Sequence, residues 1–233
     1  MNSLPALDER LLAALRQIDT CTVCNAIETF GVRLRNTGYA DSSVRCFFPD
    51  LGPMVGYATT ARLRSGDPRI DGKNYHDRTE WWSEILRIPA PRIVVLEDMD
   101  RKPGTGAFIG DVHAAIIKSL GCVGYVTNGA VRELPSIHEM GIHLFAGESA
   151  VSHAYAHIFD LGATINVGGL LVRPGDLLHG DRHGVLTIPK EIAAEVPEAA
   201  ARLSASEKRI LDFCSSPDFS LEKLATMLRQ ESR

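Results

Sequence analysis

Five things are missing from this 233-residue chain, and each absence removes a class of protein. No stretch approaches the run of about eighteen apolar residues that a membrane-crossing helix needs. The first residues, MNSLPALDERLLAALRQ, carry acidic side chains and lack the basic start and apolar centre of a secretory signal, so a soluble, cytoplasmic protein is expected. Basic excess is also missing. Lys and Arg number 25 against 29 Asp and Glu, without a basic stripe, and nucleic acid is not an expected partner. The five cysteines are an odd set that suits reduced thiols better than a disulfide framework. Cys21 and Cys24 form a CxxC within an apparent helix, but no second pair completes a zinc site, and small buried side chains are the plainer reading. Repeats and low-complexity tracts are absent too.

What is present is a chain 45% apolar, long enough for one large domain with a substantial core. It is read as a single domain over 1–233, with a core of about 15–200 and a C-terminal helical arm of about 191–233. Helical spacing runs from Ala6 to Ile18 and from Asp19 to Phe30, and residues 32–52 have no period and look like a surface excursion. Gly56 to Leu63 suits a strand. The polar stretch after it, reaching to Arg78, is either a cover for a site or an insertion, and an amphipathic helix with Trp81, Trp82, Ile85 and Leu86 follows.

The centre of the chain is more specific. Ile93 to Asp98 reads as a buried strand, Gly104 to Gly110 as the loop leaving it, Asp111 to Leu120 as a helix closed by Gly121, and Gly124 to Thr127 as the next strand. In such a strand-helix-strand unit the helix start and the end of the second strand share one edge of the sheet, where open α/β sheets bind ligands. Asp111 and, after twenty intervening residues, the pair Arg132-Glu133 can therefore face one site. Short strands joined by turns in the second half (163–167, 170–172, 177–189) argue for a mixed α/β sandwich rather than a doubly wound sheet. From Ile192 the spacing is helical, with Pro197 opening or kinking the helix.

Asp111 follows Gly110 at a helix start, where the N–H groups of Val112 and His113 can bind a carboxylate. Arg132 offers a guanidinium fork for a carboxylate or carbonyl oxygen, and Glu133 with Asp111 gives two hard oxygen ligands suited to Mg²⁺ or Mn²⁺. The plainer alternative is that Asp111 caps its helix while Arg132 and Glu133 form surface ion pairs. His153 and His157 stand four apart, as two zinc ligands on a helix would, but no Glu follows His153 in the metalloprotease arrangement. His183 is a candidate substrate contact. Lys102 and Lys118 sit badly for a Schiff base.

The segments GAFIGDVHAAIIKSLGCVGYVTNGAVREL, GIHLFA and VRPGDLLHGDRHGVLTIP, with Gly56, Ala58 and Thr60, resemble the RraA-like family over roughly residues 15–200. That family includes class II 4-hydroxy-4-methyl-2-oxoglutarate/4-carboxy-4-hydroxy-2-oxoadipate aldolases and non-catalytic regulators of ribonuclease E activity. The resemblance implies a mixed α/β sandwich of the swivelling β/β/α type with terminal helical arms. For function it implies a divalent-metal pyruvate aldolase acting on small 2-oxo acids, with oxaloacetate decarboxylase side activity; the alternative is a regulator that binds a ribonuclease or another protein.

Carried onto this sequence, the resemblance puts Glu133 in the place of a metal-binding Asp. Asp111 would hold a metal-bound water and help place the proton-transfer water, and Arg132 would polarise the keto oxygen. Gly110, Val112 and His113 would receive the substrate carboxylate. Asn128 stands where an Asp is common. The resemblance also implies a homotrimer, sometimes doubled to a hexamer, with the arm from Ile192 onward touching a neighbour. Sedimentation at micromolar concentration should therefore give a mass of three or six chains, and a species of 25.4 kDa alone would contradict that expectation.

Overall fold

The computed structural model describes residues 7–69 and 78–231. Helix α1 (Glu9–Leu15) is capped by Asp8, and α2 (Thr20–Glu28) by Asp19, whose carboxylate accepts from the Thr22 N–H. Then come β1 (Arg45–Cys46), β2 (Met54–Arg64), α3 (Thr79–Leu86), β3 (Arg92–Asp98), β4 (Ala107–Ile109), α4 (Asp111–Ser119), β5 (Cys122–Thr127) and β6 (Ala130–Val131). Helix α5 (Leu134–Glu139) precedes β7 (His143–Ala146), β8 (Glu148–Ser149), β9 (His157–Phe159), β10 (Ile165–Val167), β11 (Leu170–Val172), β12 (Leu177–Asp181) and β13 (Gly184–Ile188). Two helices, α6 (Val196–Cys214) and α7 (Leu221–Glu231), end the described chain.

The main sheet runs β1-β7-β5-β3-β2-β12-β13, with β9 also paired to β2. Its centre, β2, β3, β5 and β7, is parallel, and the outer pairings are antiparallel, which makes the mixed α/β architecture expected from the sequence. Both faces are covered. On β3, Val94 and Leu96 pack with Trp81, Ile85, Phe108 and Ile117 on one side. Ile93 and Val95 pack with Val167 and Leu170 of the β10-β11 hairpin on the other. A third cluster joins α1, α2 and α6 to β2, β12 and β13 through Leu12, Leu15, Val23, Tyr57, Leu186 and Val196. Strands buried on both faces are apolar at successive positions, as IVVL is here.

Several expectations need correction. The segment 104–110 is not all loop: β4 lies within it and pairs with β6, which pairs with β8, in a small parallel sheet. Strands of two or three residues have too few positions to show a period, and only their distant partners define them. The stretch 32–52 is not purely surface, since Val44 and Phe48 are buried and β1 pairs with β7. Leu86, read as part of an apolar face, is exposed. Of the polar stretch before α3, residues 70–77 lie outside the described residues. The arm divides in two: Val196, Ala199 and Ala200 of α6 are buried, whereas Leu221 and Leu228 of α7 are exposed.

The loops at the carboxyl ends of β2 and β3 are tied by two aspartates. Asp98, buried, accepts from the N–H groups of Asp100 and Gly104 at 2.9 and 2.8 Å. Asp100 Oδ2 accepts from Ser65 N, Ser65 Oγ and Gly66 N at 2.7–2.8 Å. Ser65 Oγ in turn accepts from Gly106 N, and the Ser65 carbonyl from Tyr155 N. Close approach is built into this knot, because a Cβ on Gly106 would lie 2.6 Å from the His153 carbonyl oxygen and 2.7 Å from Ala154 Cβ. Gly106→Ala should therefore cost about 1–3 kcal/mol through overpacking against backbone. Urea denaturation measures it, and an unchanged midpoint would show that the 153–154 segment yields freely.

Candidate active site

The site grows out of the β4-α4 junction. Gly110 caps α4 with its backbone extended, and the first turn then presents Asp111, Val112 and His113. Across from it β6 ends at Val131, and Arg132 and Glu133 lead into α5. Glu133 adopts left-handed backbone angles (φ 57°, ψ 41°), an uncommon conformation for a non-glycine residue that costs about 1–3 kcal/mol and clusters at functional sites. That twist turns its carboxylate back to α4, where Oε2 accepts from the Asp111 N–H at 2.9 Å. Glu133 Oε1 lies 2.9 Å from Arg132 Nη2. Gly110 is needed for this approach: a Cβ there would stand 2.3 Å from Glu133 Oε2 and 3.2 Å from Arg132 Nε.

These residues line a cleft of about 450 Å³, large enough for a small organic acid. Its other wall is formed by Arg69, Arg78 and the segment from His153 to His157. Phe108 and His113 form the apolar side, with ring centroids 5.1 Å apart, and the Arg78 guanidinium lies 4.9 Å from the Phe108 centroid. Burial, helped by the charges of Arg78 and Arg132, pushes the His113 imidazole down to about 4. His113 is therefore neutral near pH 7. Its Nδ1 faces Arg78 Nη1 at 3.5 Å, and because a guanidinium only donates, the ring hydrogen belongs on Nε2.

The candidate site residues of the sequence now have a place. Asp111, Arg132, Glu133, Gly110, Val112 and His113 all line the one cleft. The expected carboxylate cradle at Val112 differs in detail, because its N–H already donates to Asp111 Oδ1 at 2.6 Å. A substrate carboxylate must displace that side chain or use the remaining N–H of the first turn. His153 and His157 line the cleft as well, but on a turn and on β9 rather than one helix, each with Nδ1 against a backbone carbonyl at 2.8 Å. Among the described residues they join no group of three ligands. His183 lies elsewhere, beside Asp181. Lys118 is also remote, donating to the Met140 carbonyl at the far end of α4. Arg69 and Arg78 belong to the polar stretch read as a cover or an insertion, and both line the cleft, whereas Phe108 and Tyr155 were not singled out, since only the fold brings them to this wall.

Glu133 and Asp111 are both carboxylates with unused lone pairs, and the space that a Gly110 side chain would fill is left to the Glu133 carboxylate. This donor set fits a hard divalent cation that keeps most of its waters.

The sequence model described as RraA-like, Aldolase/RraA, matches residues 20–187. A Halalkalibacterium halodurans protein named "Putative 4-hydroxy-4-methyl-2-oxoglutarate aldolase" is 29% identical over 156 residues, 66% of this chain and 69% of that protein. A Pseudomonas syringae pv. tomato structure superposes with a TM-score of 0.73 at 20% identity, covering 97% of both chains. Streptomyces coelicolor RraAS2, described as an unusual member of the RNase ES inhibitor RraA family, superposes with a TM-score of 0.68 at 22% identity, covering 88% of this chain and 97% of that one. At these identities the two structures establish the fold alone.

The depressed His113 gives a test of the cleft's electrostatics. The unfolded chain takes up this proton near pH 6.5 and the native protein only near pH 4, so the residue lowers stability progressively as pH falls from 6.5 to 4 and not above. His143 and His179 are shifted down as well and act in the same direction. The His113 ring resonance in NMR should titrate near 4, and His113→Gln should flatten part of the acid limb of stability. A midpoint near 6.5 would mean an open, hydrated cleft.

Proposed function

The chain belongs to the RraA-like family, and we propose that it is a class II aldolase that cleaves 4-hydroxy-2-oxo acids to pyruvate and also decarboxylates oxaloacetate. One observation carries this reading: the 2.9 Å bond from Asp111 N–H to Glu133 brings the acid, the arginine and the second acid to one cleft. Glu133 and Asp111 would hold Mg²⁺ or Mn²⁺. When bound, such an ion supplies Lewis-acid stabilisation of charge developing on the keto oxygen.

The protein's own groups do the rest. Arg132 donates to the keto oxygen, and since Glu133 Oε1 holds its Nη2, the guanidinium is fixed in direction before substrate arrives. The 1-carboxylate of the substrate lies against the first turn of α4. As the C3–C4 bond breaks, its electron pair moves towards C2 and the keto oxygen, giving the pyruvate enolate. The C4 hydroxyl proton passes through water to the Asp111 carboxylate, and the carbonyl product leaves. The same proton returns to C3 to give pyruvate. Loss of CO₂ from oxaloacetate produces the same enolate, so one site serves both reactions. Neutral His113 and Phe108 limit water on that side, and Arg78 offers positive charge to the distal end of an anionic substrate.

Pyruvate release from oxaloacetate and from a panel of 4-hydroxy-2-oxo acids, with Mg²⁺ and then with excess chelator, tests the proposal directly. No release from any of them would favour a protein-binding regulator instead. Glu133→Ala should abolish metal-dependent turnover while leaving the fold intact, and Glu133→Asp should retain appreciable activity. Arg132→Lys keeps the charge but loses the planar fork, and kcat should fall by ~10²–10³ for cleavage and decarboxylation alike. Decarboxylation untouched by Arg132→Lys would move Arg132 to the distal part of the substrate.

A further inference from the structure

Away from the cleft, one group of side chains remains unused by the proposed reaction. Asp19, Cys21 and His183 place a carboxylate oxygen, a thiol sulfur and an imidazole nitrogen all within 4.8 Å of one another, and among the described residues this is the group of three that can hold a metal. The first two flank the start of α2, and His183 comes from the β12-β13 turn more than 150 residues away in sequence. Cys21, Cys24 and His183 line a hollow of about 270 Å³.

From this geometry we infer that Asp19, Cys21 and His183 form a transition-metal site of the zinc class, distinct from the catalytic cleft. The donor types point there: thiolate and imidazole suit Zn²⁺ and Co²⁺ rather than Mg²⁺. Asp181 is the second observation. Its side chain is only 8% exposed, and its Oδ1 lies 3.1 Å from His183 Nδ1. A carboxylate on Nδ1 fixes the ring and leaves Nε2 as the ligating atom, the arrangement that accompanies metal-bound histidines. Asp181 is itself anchored, accepting from the Thr20 N–H at 2.9 Å through Oδ2.

The distances are compatible. Bonds of about 2.0–2.3 Å in a tetrahedron put ligand atoms about 3.3–3.8 Å apart. Thr22 holds the Asp19 carboxylate and Asp181 holds the His183 ring, so rotation of the exposed Cys21 side chain closes the remaining gap. The dipole at the start of α2 opposes a cation, but the Thr20 and Thr22 N–H groups are already satisfied by the carboxylates of Asp181 and Asp19. Those carboxylates leave the spot with negative charge. Three protein ligands leave the fourth position to water.

The rival explanation is that Asp19 and Asp181 serve only as helix caps and that Cys21 and His183 are neighbours by accident. Co²⁺ titration of the reduced full-length protein separates the two, because a thiolate ligand gives an intense charge-transfer band and tetrahedral coordination gives strong d–d bands. One equivalent should develop both in the wild-type chain and in Glu133→Ala. Cys21→Ser and His183→Ala, both at exposed positions, should lose the band while pyruvate release with Mg²⁺ is unchanged. Cys24→Ser should keep it, and Asp181→Asn should weaken binding by ~10–100-fold. Absence of the band in the wild-type protein, or its survival in Cys21→Ser, would overturn the site whatever the outcome for aldolase activity.

Discussion

Everything in the cleft depends on a constraint of parallel pairing. When β2, β3, β5 and β7 run in one direction, their carboxyl ends collect at one edge of the sheet, and every connection leaving that edge is a loop that the sheet itself cannot hold. The protein holds these loops with carboxylates. Asp98 and Asp100 bind five N–H or O–H donors between them, and Glu133 binds the start of α4. A buried amide left without such a partner costs about 1–3 kcal/mol, so the loops have few alternative positions.

The cost of this arrangement appears in the backbone. Glu133 is one of three non-glycine residues with positive φ among those described, and its twist is sustained by bonds to Asp111 N–H and Arg132. Gly110 and Gly106 mark the two places where backbone must come closer than a side chain permits. At Glu133 and Gly110 strain and close approach fall at the same junction, as expected where geometry is fixed before a ligand arrives.

The charge pattern of the cleft is divided rather than uniform. Arg132 is paired with Glu133, His113 is held neutral by burial and two guanidiniums, and Arg78 lies over Phe108. Two carboxylates suited to a divalent cation therefore stand near positive charge suited to a polyanionic acid, and the apolar Phe108 wall lies between. A regulator that only docks on a partner has no use for such a separation. That contrast is why the proposed chemistry, rather than the shared fold, carries the functional reading.

The sequence by itself determined the central strand-helix-strand unit. IVVLED, the helix closed by Gly121 and the strand GYVT carry their own periodicity and stop signals, so Asp111 and the Arg132-Glu133 pair could be placed on one edge without coordinates. It also determined the mixed architecture, through short strands joined by turns in the second half. Tertiary structure alone decided the rest. The sheet β4-β6-β8 consists of two- and three-residue strands defined by distant partners, and the cleft wall is assembled from Arg69 and Arg78, in a stretch that read equally as cover or insertion, and Tyr155, in a segment with no local signal. His183 shows the same limit from the other side: one turn of chain set its place beside Asp181, but only the packing of α2 against β12 and β13 brought Cys21 and Asp19 to meet it. Local pattern is written in neighbouring residues, whereas a site built across segments exists only once burial has fixed their relative positions.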